Sequence, residues 1–156
     1  MATYFLDTSA LVKRHVVEPG HAWVRALCTP RARNDIVVAE IALVEVAAAF
    51  SRMARESVPR LTIARRNRVI SDFERCFLRQ YTVIQMDRAI FARAAALCRV
   101  RPLRAYDAVQ LACVLVLHDD NLAAGQPAPT FVCADTTLLT AAAAEGLPIE
   151  NPNDHP

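Results

Sequence analysis

The sequence predicts an α/β fold: three layers, with a parallel sheet of four to five strands held between helices. Two observations carry that prediction. Short β-branched or aromatic runs at residues 3–6, 36–38, 81–84 and 130–133 alternate with longer segments of helical periodicity, the pattern of a parallel sheet covered on both faces. The first and last of these runs are also followed by an aspartate and then hydroxyl residues, Asp7-Thr8-Ser9 and Asp135-Thr136-Thr137.

In order, residues 3–6 form a buried strand straight from the N-terminus, and Asp7, Thr8 and Ser9 stop it. A strand-to-helix turn there puts Asp7 at the carboxyl end of a strand, where α/β folds place ligands. The plainer reading is that Asp7 or Thr8 only caps the helix over 9–15. Pro19 and Gly20 open a second helix whose apolar side includes Trp23, Ala26 and Leu27, and 30–35 is a loop before the strand at 36–38. From Glu40 to Glu56 the chain reads as a long helix, apolar on almost every side through Phe50 and therefore buried. Pro59 separates it from a helix capped by Thr62 and running to Gln80. Val69, Ile70, Phe73, Cys76 and Phe77 make one stripe there; Arg65, Arg68, Arg75 and Arg79 fall on another.

After the strand at 81–84, Asp87 caps a helix to Val100 with Ile90, Phe91, Ala94, Leu97 and Cys98 inward, and Pro102 ends it. Residues 106–118 form a nearly all-apolar helix with His118 as a cation at its C-terminal end. Residues 121–129 are a surface loop. The strand at 130–133 leads to Asp135 and to a helix over 136–145 stopped by Gly146. Residues 147–149 are at most a short edge strand, because Pro148 removes a donor. No repeat or linker divides the chain, so 1–156 reads as a single domain.

Composition excludes several classes. Three glycines argue against a glycine-rich phosphate loop. The apolar runs are too short or interrupted to span a bilayer, and Asp7 stands where a signal peptide has its apolar centre. Cys28, Cys76, Cys98, Cys113 and Cys133 lie in apolar segments without zinc-type spacing and read as reduced core thiols of a cytoplasmic protein. The formal charge is only +2, but residues 52–104 hold 13 arginines against 4 acids, so the rest of the chain is net negative.

Four carboxylates stand out. Asp7 and Asp135 follow strands, and Asp107 lies in the first turn of a helix whose dipole favours its ionised form. Glu45 stands in the middle of an apolar helix with no partner nearby in sequence except Arg52, two turns on. A buried carboxylate there costs several kcal/mol unless it is paired, neutralised or bound to a metal. Oxygen ligands without histidine or cysteine point to a hard cation, Mg²⁺ or Mn²⁺, which polarises a phosphoryl oxygen and activates water.

The chain resembles PIN-domain nucleases, and most closely VapC-type toxins of type II toxin–antitoxin pairs. The matching stretches are 5–13 (FLDTSALVK), 43–46 with Arg52, 103–112 (LRAYDAVQLA), and 131–135 with Leu138, Ala142, Ala143, Gly146, Leu147, Asn151 and Pro152. The resemblance implies a PIN-like (Rossmann-like) domain that cleaves RNA with Mg²⁺ or Mn²⁺. In its pocket Asp7, Glu45, Asp107 and Asp135 are the catalytic and metal-binding residues, with Thr8 or Ser9 supporting Asp7. It also implies a cognate antitoxin and a homodimer. Glu40 stands where the family often has a small polar residue and competes with Glu45 for the acidic role.

Two rivals follow. Haloacid-dehalogenase-type phosphatases need a second aspartate where this chain has Ser9, and a late lysine, whereas Lys13 is the only lysine. A PIN module that binds RNA or protein without cutting would have lost a carboxylate, and all four are present. An acidic pocket repels a polyanion, so a basic surface must offset it. Arg65, Arg66 and Arg68 are the expected RNA-backbone contacts, guanidinium groups being suited to phosphate; the alternative is that they pair with acids elsewhere.

Overall fold

Thr3–Leu6 (β1), Asp35–Ala39 (β2), Thr82–Ile84 (β3), Thr130–Val132 (β4) and Ile149–Glu150 (β5) form one parallel sheet in the order β3-β2-β1-β4-β5. The computed structural model describes residues 2–58 and 60–155, so Pro59, expected to separate two helices, lies outside the described residues. Phe5 is in register with Val37 on one side and Phe131 on the other. Because every pair is parallel, all carboxyl ends share one edge. The strand order reverses between β1 and β4, the place where such sheets open a crevice. Asp7 and Asp135 stand just past those two strands.

Alternation along the strands assigns the layers. Phe5, Val37 and Phe131 face one way, into a core with Thr136–Ala144 (α7), Arg88–Val100 (α5) and Ala105–Ala123 (α6). Leu6, Val38 and Val132 face the other way, against Thr8–Lys13 (α1), His21–Leu27 (α2), Ala42–Arg55 (α3) and Ile63–Arg79 (α4). The Phe5 and Phe131 rings pack with centroids 5.8 Å apart in a tilted arrangement that suits aromatic quadrupoles. Thr62 caps α4 and Asp87 caps α5 through their side chains.

A short 3₁₀ turn, Pro152–Asp154, folds back onto α2. Gly20, at φ +83°, lies so close that a Cβ there would fall 2.2 Å from the Pro152 carbonyl oxygen, so a side chain fits neither the backbone angle nor the space. Trp23 stacks on His155 with centroids 4.1 Å apart and planes within 1°. His155 Nε2 lies 2.9 Å from Glu150 Oε2 on β5.

Several elements depart from expectation. Residues 149–150 do pair with β4, because Pro148 precedes the strand and contributes only its carbonyl, which accepts from Phe131 N at 2.8 Å. Helix α6 continues to Ala123, helped by an Arg93–Asp119 ion pair of 2.6 Å that ties its later turns to α5. His118 therefore sits within the helix, not at its C-terminal end. Helix α3 begins at Ala42, not Glu40, and is not apolar-buried all round: Ala42, Val46, Ala49, Phe50 and Met53 are buried, but Leu43, Val44 and Ala48 are exposed. On α2 only Val24 is buried, with Cys28 buried just past the helix, and Ala26 is exposed. On α5, Ile90, Ala94 and Leu97 face inward while Phe91 and Cys98 are exposed. Among the thiols only Cys28, Cys113 and Cys133 are buried, and all five are free. Among the described residues no helix is long and apolar enough to cross a membrane.

Candidate active site

Both strand-end aspartates do cap helices. Asp7 Oδ1 accepts from Ala10 N at 3.0 Å, and Asp135 Oδ1 accepts from Leu138 N at 3.0 Å. Capping alone does not explain Asp7, which is only 6% exposed. Its burial pushes the carboxyl up to about 6, against the pull of the Ser9 hydroxyl and nearby backbone N–H groups. A cap needs no such burial. Ser9 Oγ donates to Asp7 Oδ1 at 2.7 Å and accepts from Ala134 N at 2.8 Å. Cys133 Sγ lies 3.8 Å from Ser9 Oγ and accepts from Asp135 N at 3.2 Å.

Glu45 occupies the first turn of α3, not the middle of a helix, because α3 starts at Ala42. Its partners come from far along the chain. Glu45 Oε2 accepts from Thr8 Oγ at 2.7 Å and from Gln110 Nε2 at 2.6 Å. Thr8 thus holds Glu45 rather than Asp7, and among the described residues no ion pair joins Glu45 to Arg52. Burial, and then the charge of Asp107, raises the Glu45 carboxyl above its ordinary range. Asp107, in the first turn of α6, is raised by burial and then by the charge of Asp135, with Arg104 pulling it back.

These relations gather the four acids at the carboxyl edge of the sheet. Asp107 lies within the field of Asp135, and Glu45 within that of Asp107. Ser9 joins the backbone before Asp135 to Asp7, and Thr8, the next residue to Asp7, reaches Glu45. Among the described residues, however, no three His, Cys, Asp or Glu side chains stand close enough to share an ion. The donor chemistry nonetheless suits one. All four are carboxylates, the charge of Asp107 bears on Glu45 and that of Asp135 on Asp107, and the side-chain hydrogen bonds given for Asp7, Glu45 and Asp135 fall on one oxygen each. A hard divalent cation offsets that repulsion.

Glu40 stands apart. It is exposed, and its Oε2 accepts from Met86 N at 3.1 Å, tying the end of β2 to the end of β3. The arginines also lie elsewhere. Arg65 lines a cleft of about 510 Å³ with Arg14, Arg25 and Arg75, between α1, α2 and α4, and none of the four acids lines it. Arg66 donates to Asn67 Oδ1 at 2.8 Å. Among the described residues Arg65, Arg66 and Arg68 form no ion pair.

Two residues near the acids escaped the sequence reading. Arg104, the N-cap residue of α6, is the arginine whose charge reaches Asp107. Gln110 is buried in the apolar run of α6 and meets Glu45. An amide inside an otherwise apolar helix, three residues after an acid, was the available signal.

A family model described as PIN domain matches residues 4–124. Among solved structures, VapBC2 from Rickettsia felis, bound to a DNA fragment from its promoter, is 14% identical with a TM-score of 0.59 and covers 96% of this chain and 98% of that one. FitAcB from Neisseria gonorrhoeae is 18% identical, also at 0.59, over 96% and 98% of the two chains. FitAB bound to an IR36 DNA fragment is 17% identical at 0.64, over 96% and 95%. At these identities the likeness is one of fold. Among curated proteins, none matches.

Proposed function

The chain belongs to the PIN-domain family, and from that premise we propose that it is a metal-dependent endoribonuclease, the toxin of a toxin–antitoxin pair. The observation that carries the proposal is the gathering of Asp7, Glu45, Asp107 and Asp135 at the switch-point edge, three of them raised by burial or one another's charge. A structural cluster of acids without a cation is a liability; a metal-binding cluster is not. When bound, Mg²⁺ or Mn²⁺ supplies a Lewis acid for a phosphoryl oxygen and an acidified water.

The chain's own residues orient and exclude. Ser9 and Ala10 N fix Asp7 through Oδ1, Thr8 fixes Glu45, and Leu138 N fixes Asp135. The thiols nearest the acids, Cys133 beside Ser9 and Cys113 within the field of Glu45, are both buried, and burial drives their pKa values up, so neither is a ready nucleophile. Hydrolysis by water is the reaction left to such a site. Arg104, whose charge reaches Asp107, is proposed to meet a phosphate of the substrate, and Arg65, Arg66 and Arg68, which form no ion pair among the described residues, are proposed to track the RNA backbone beyond it.

The partners are proposed from the neighbours, which were solved as VapBC2 and FitAB. A cognate antitoxin and a second copy of the chain would cover apolar surface such as Leu43 and Val44, the latter 66% exposed. The working unit is one domain over 1–156, acting in the cytoplasm.

The test is cleavage of a mixed RNA by the purified chain, with EDTA and with restored Mg²⁺ or Mn²⁺, beside Asp107→Asn. Cleavage that EDTA stops, that either ion restores and that Asp107→Asn lacks is the expected result. RNA retention without cleavage in any metal would favour the binding-module reading.

A further inference from the structure

Gln110 is 2% exposed, inside a stretch of α6 from Ala108 to Leu115 that is otherwise apolar and buried. Its Nε2 donates to Glu45 Oε2 at 2.6 Å and lies 3.3 Å from Thr8 Oγ. Thr8 donates to the same Glu45 oxygen at 2.7 Å. The Gln110 Oε1 is buried without a hydrogen-bond partner among the described residues. An orphaned acceptor carries a desolvation penalty that an apolar side chain of equal length would avoid. Packing therefore does not account for the amide; its N–H group does. Gln110 also lies three residues after Asp107, on the same face of the helix, so α6 presents an acid and a donor together.

We infer that Gln110 is a positioning residue which, with Thr8, immobilises Glu45 Oε2 and leaves Oε1 as the oxygen that Glu45 offers to a divalent cation. The inference rests on the metal-site reading above. Glu45 has a long, flexible side chain and stands in the first turn of its helix. Two donors on one oxygen, from α1 and from α6, remove its rotational freedom and commit it to binding through a single oxygen. Groups that orient metal ligands in this way typically change affinity by roughly 10–100-fold when removed.

The experiment is Mn²⁺ titration of the full chain, followed by the EPR signal of free Mn²⁺, with thermal melting in EDTA alongside. Gln110→Met keeps the volume and removes both amide atoms. The expected result is Mn²⁺ affinity weaker by about tenfold or more with a melting midpoint equal to or above wild type, because the orphaned acceptor is gone. Thr8→Val should weaken Mn²⁺ similarly, and Thr8→Ser, which keeps the hydroxyl, should restore it. Wild-type Mn²⁺ affinity in Gln110→Met, with a lowered midpoint, would overturn the inference and make Gln110 a packing residue. If wild type binds Mn²⁺ no better than Asp107→Asn, the metal site itself fails and the inference with it, an outcome readily told from the first.

Discussion

Ser9 accepts a hydrogen bond from the backbone N–H of Ala134 at 2.8 Å, pinning the turn after β1 to the turn after β4. The same hydroxyl donates to Asp7 at 2.7 Å, so one side chain spaces the two strand ends and orients an acid between them. Ser9→Ala leaves a backbone donor unpaired and should cost about 1–3 kcal/mol, lowering the melting midpoint by roughly 2–4 °C per kcal/mol. The Asp7 carboxyl, losing a bond that favours its charged form, should titrate above about 6, as NMR would read. Ser9→Thr should restore both. A Ser9→Ala chain melting like wild type would show the pin to be idle.

In EDTA, Asp7 should make the fold less stable as pH rises from about 4 to 6. Its folded value of about 6 lies above the ordinary 3.8, so across that window the folded chain holds the proton more tightly and ionisation opposes folding. Two units correspond to roughly 3 kcal/mol. His15 runs the other way: burial pushes it down to about 4, so its contribution to stability rises with pH over the same range. Denaturant titrations of wild type and Asp7→Asn separate the two. The Asp7→Asn chain should lack the falling component and be the more stable above pH 6; parallel curves would refute the burial argument.

Asp107→Asn and Asp135→Asn should each abolish EDTA-sensitive RNA cleavage while raising, or leaving unchanged, the apo melting midpoint. Each removes one of two charges that oppose each other. Substantial cleavage by both variants would remove these residues from the site.

Glu45→Gln should be inactive and Glu40→Gln active. Glu45 meets Thr8 and Gln110 beside the other acids, whereas Glu40 is exposed and serves the Met86 backbone, a bond that the glutamine carbonyl preserves. A dead Glu40→Gln chain with intact melting behaviour would reverse the assignment.

Changing Arg65, Arg66 and Arg68 together to Gln should weaken RNA binding about equally across sequences. If each contacts a phosphate, the log–log salt slope should flatten by roughly 0.7 per contact, about 2 in all. Mn²⁺ affinity should not move. An unchanged slope with wild-type affinity would make these arginines ordinary solvated surface.

Where the sequence was legible, short-range chemistry decided the outcome. The strands that flank the crevice were visible because Phe5-Leu6 and Phe131-Val132 are buried on both faces and end in Asp. What it hid was tertiary. Nothing near Glu45 announces Thr8 or Gln110, which arrive from 37 and 65 residues away. The exposed side of α3 looks like a buried one in the sequence because Leu43, Val44 and Ala48 are apolar, and composition alone does not distinguish a core face from an open one. Past His118, α6 continues through Asp119, which meets Arg93 of another helix, a contact that nothing local in the sequence announces. Pro148 argues against a strand at 149–150, but a proline just before a strand withholds a donor that the ladder does not need.

The parallel stack of Trp23 on His155 gives the protein an optical reporter of its own. Trp23 is the single tryptophan, and its neighbour belongs to the turn that Gly20 admits against α2. Detaching that turn unstacks the indole and wets it, shifting its emission to the red while the helices, and hence the far-ultraviolet dichroism, stay as they were. Steady-state fluorescence of the unlabelled chain therefore follows the docking of one short segment separately from global unfolding, where the Pro152–Asp154 turn lies on α2.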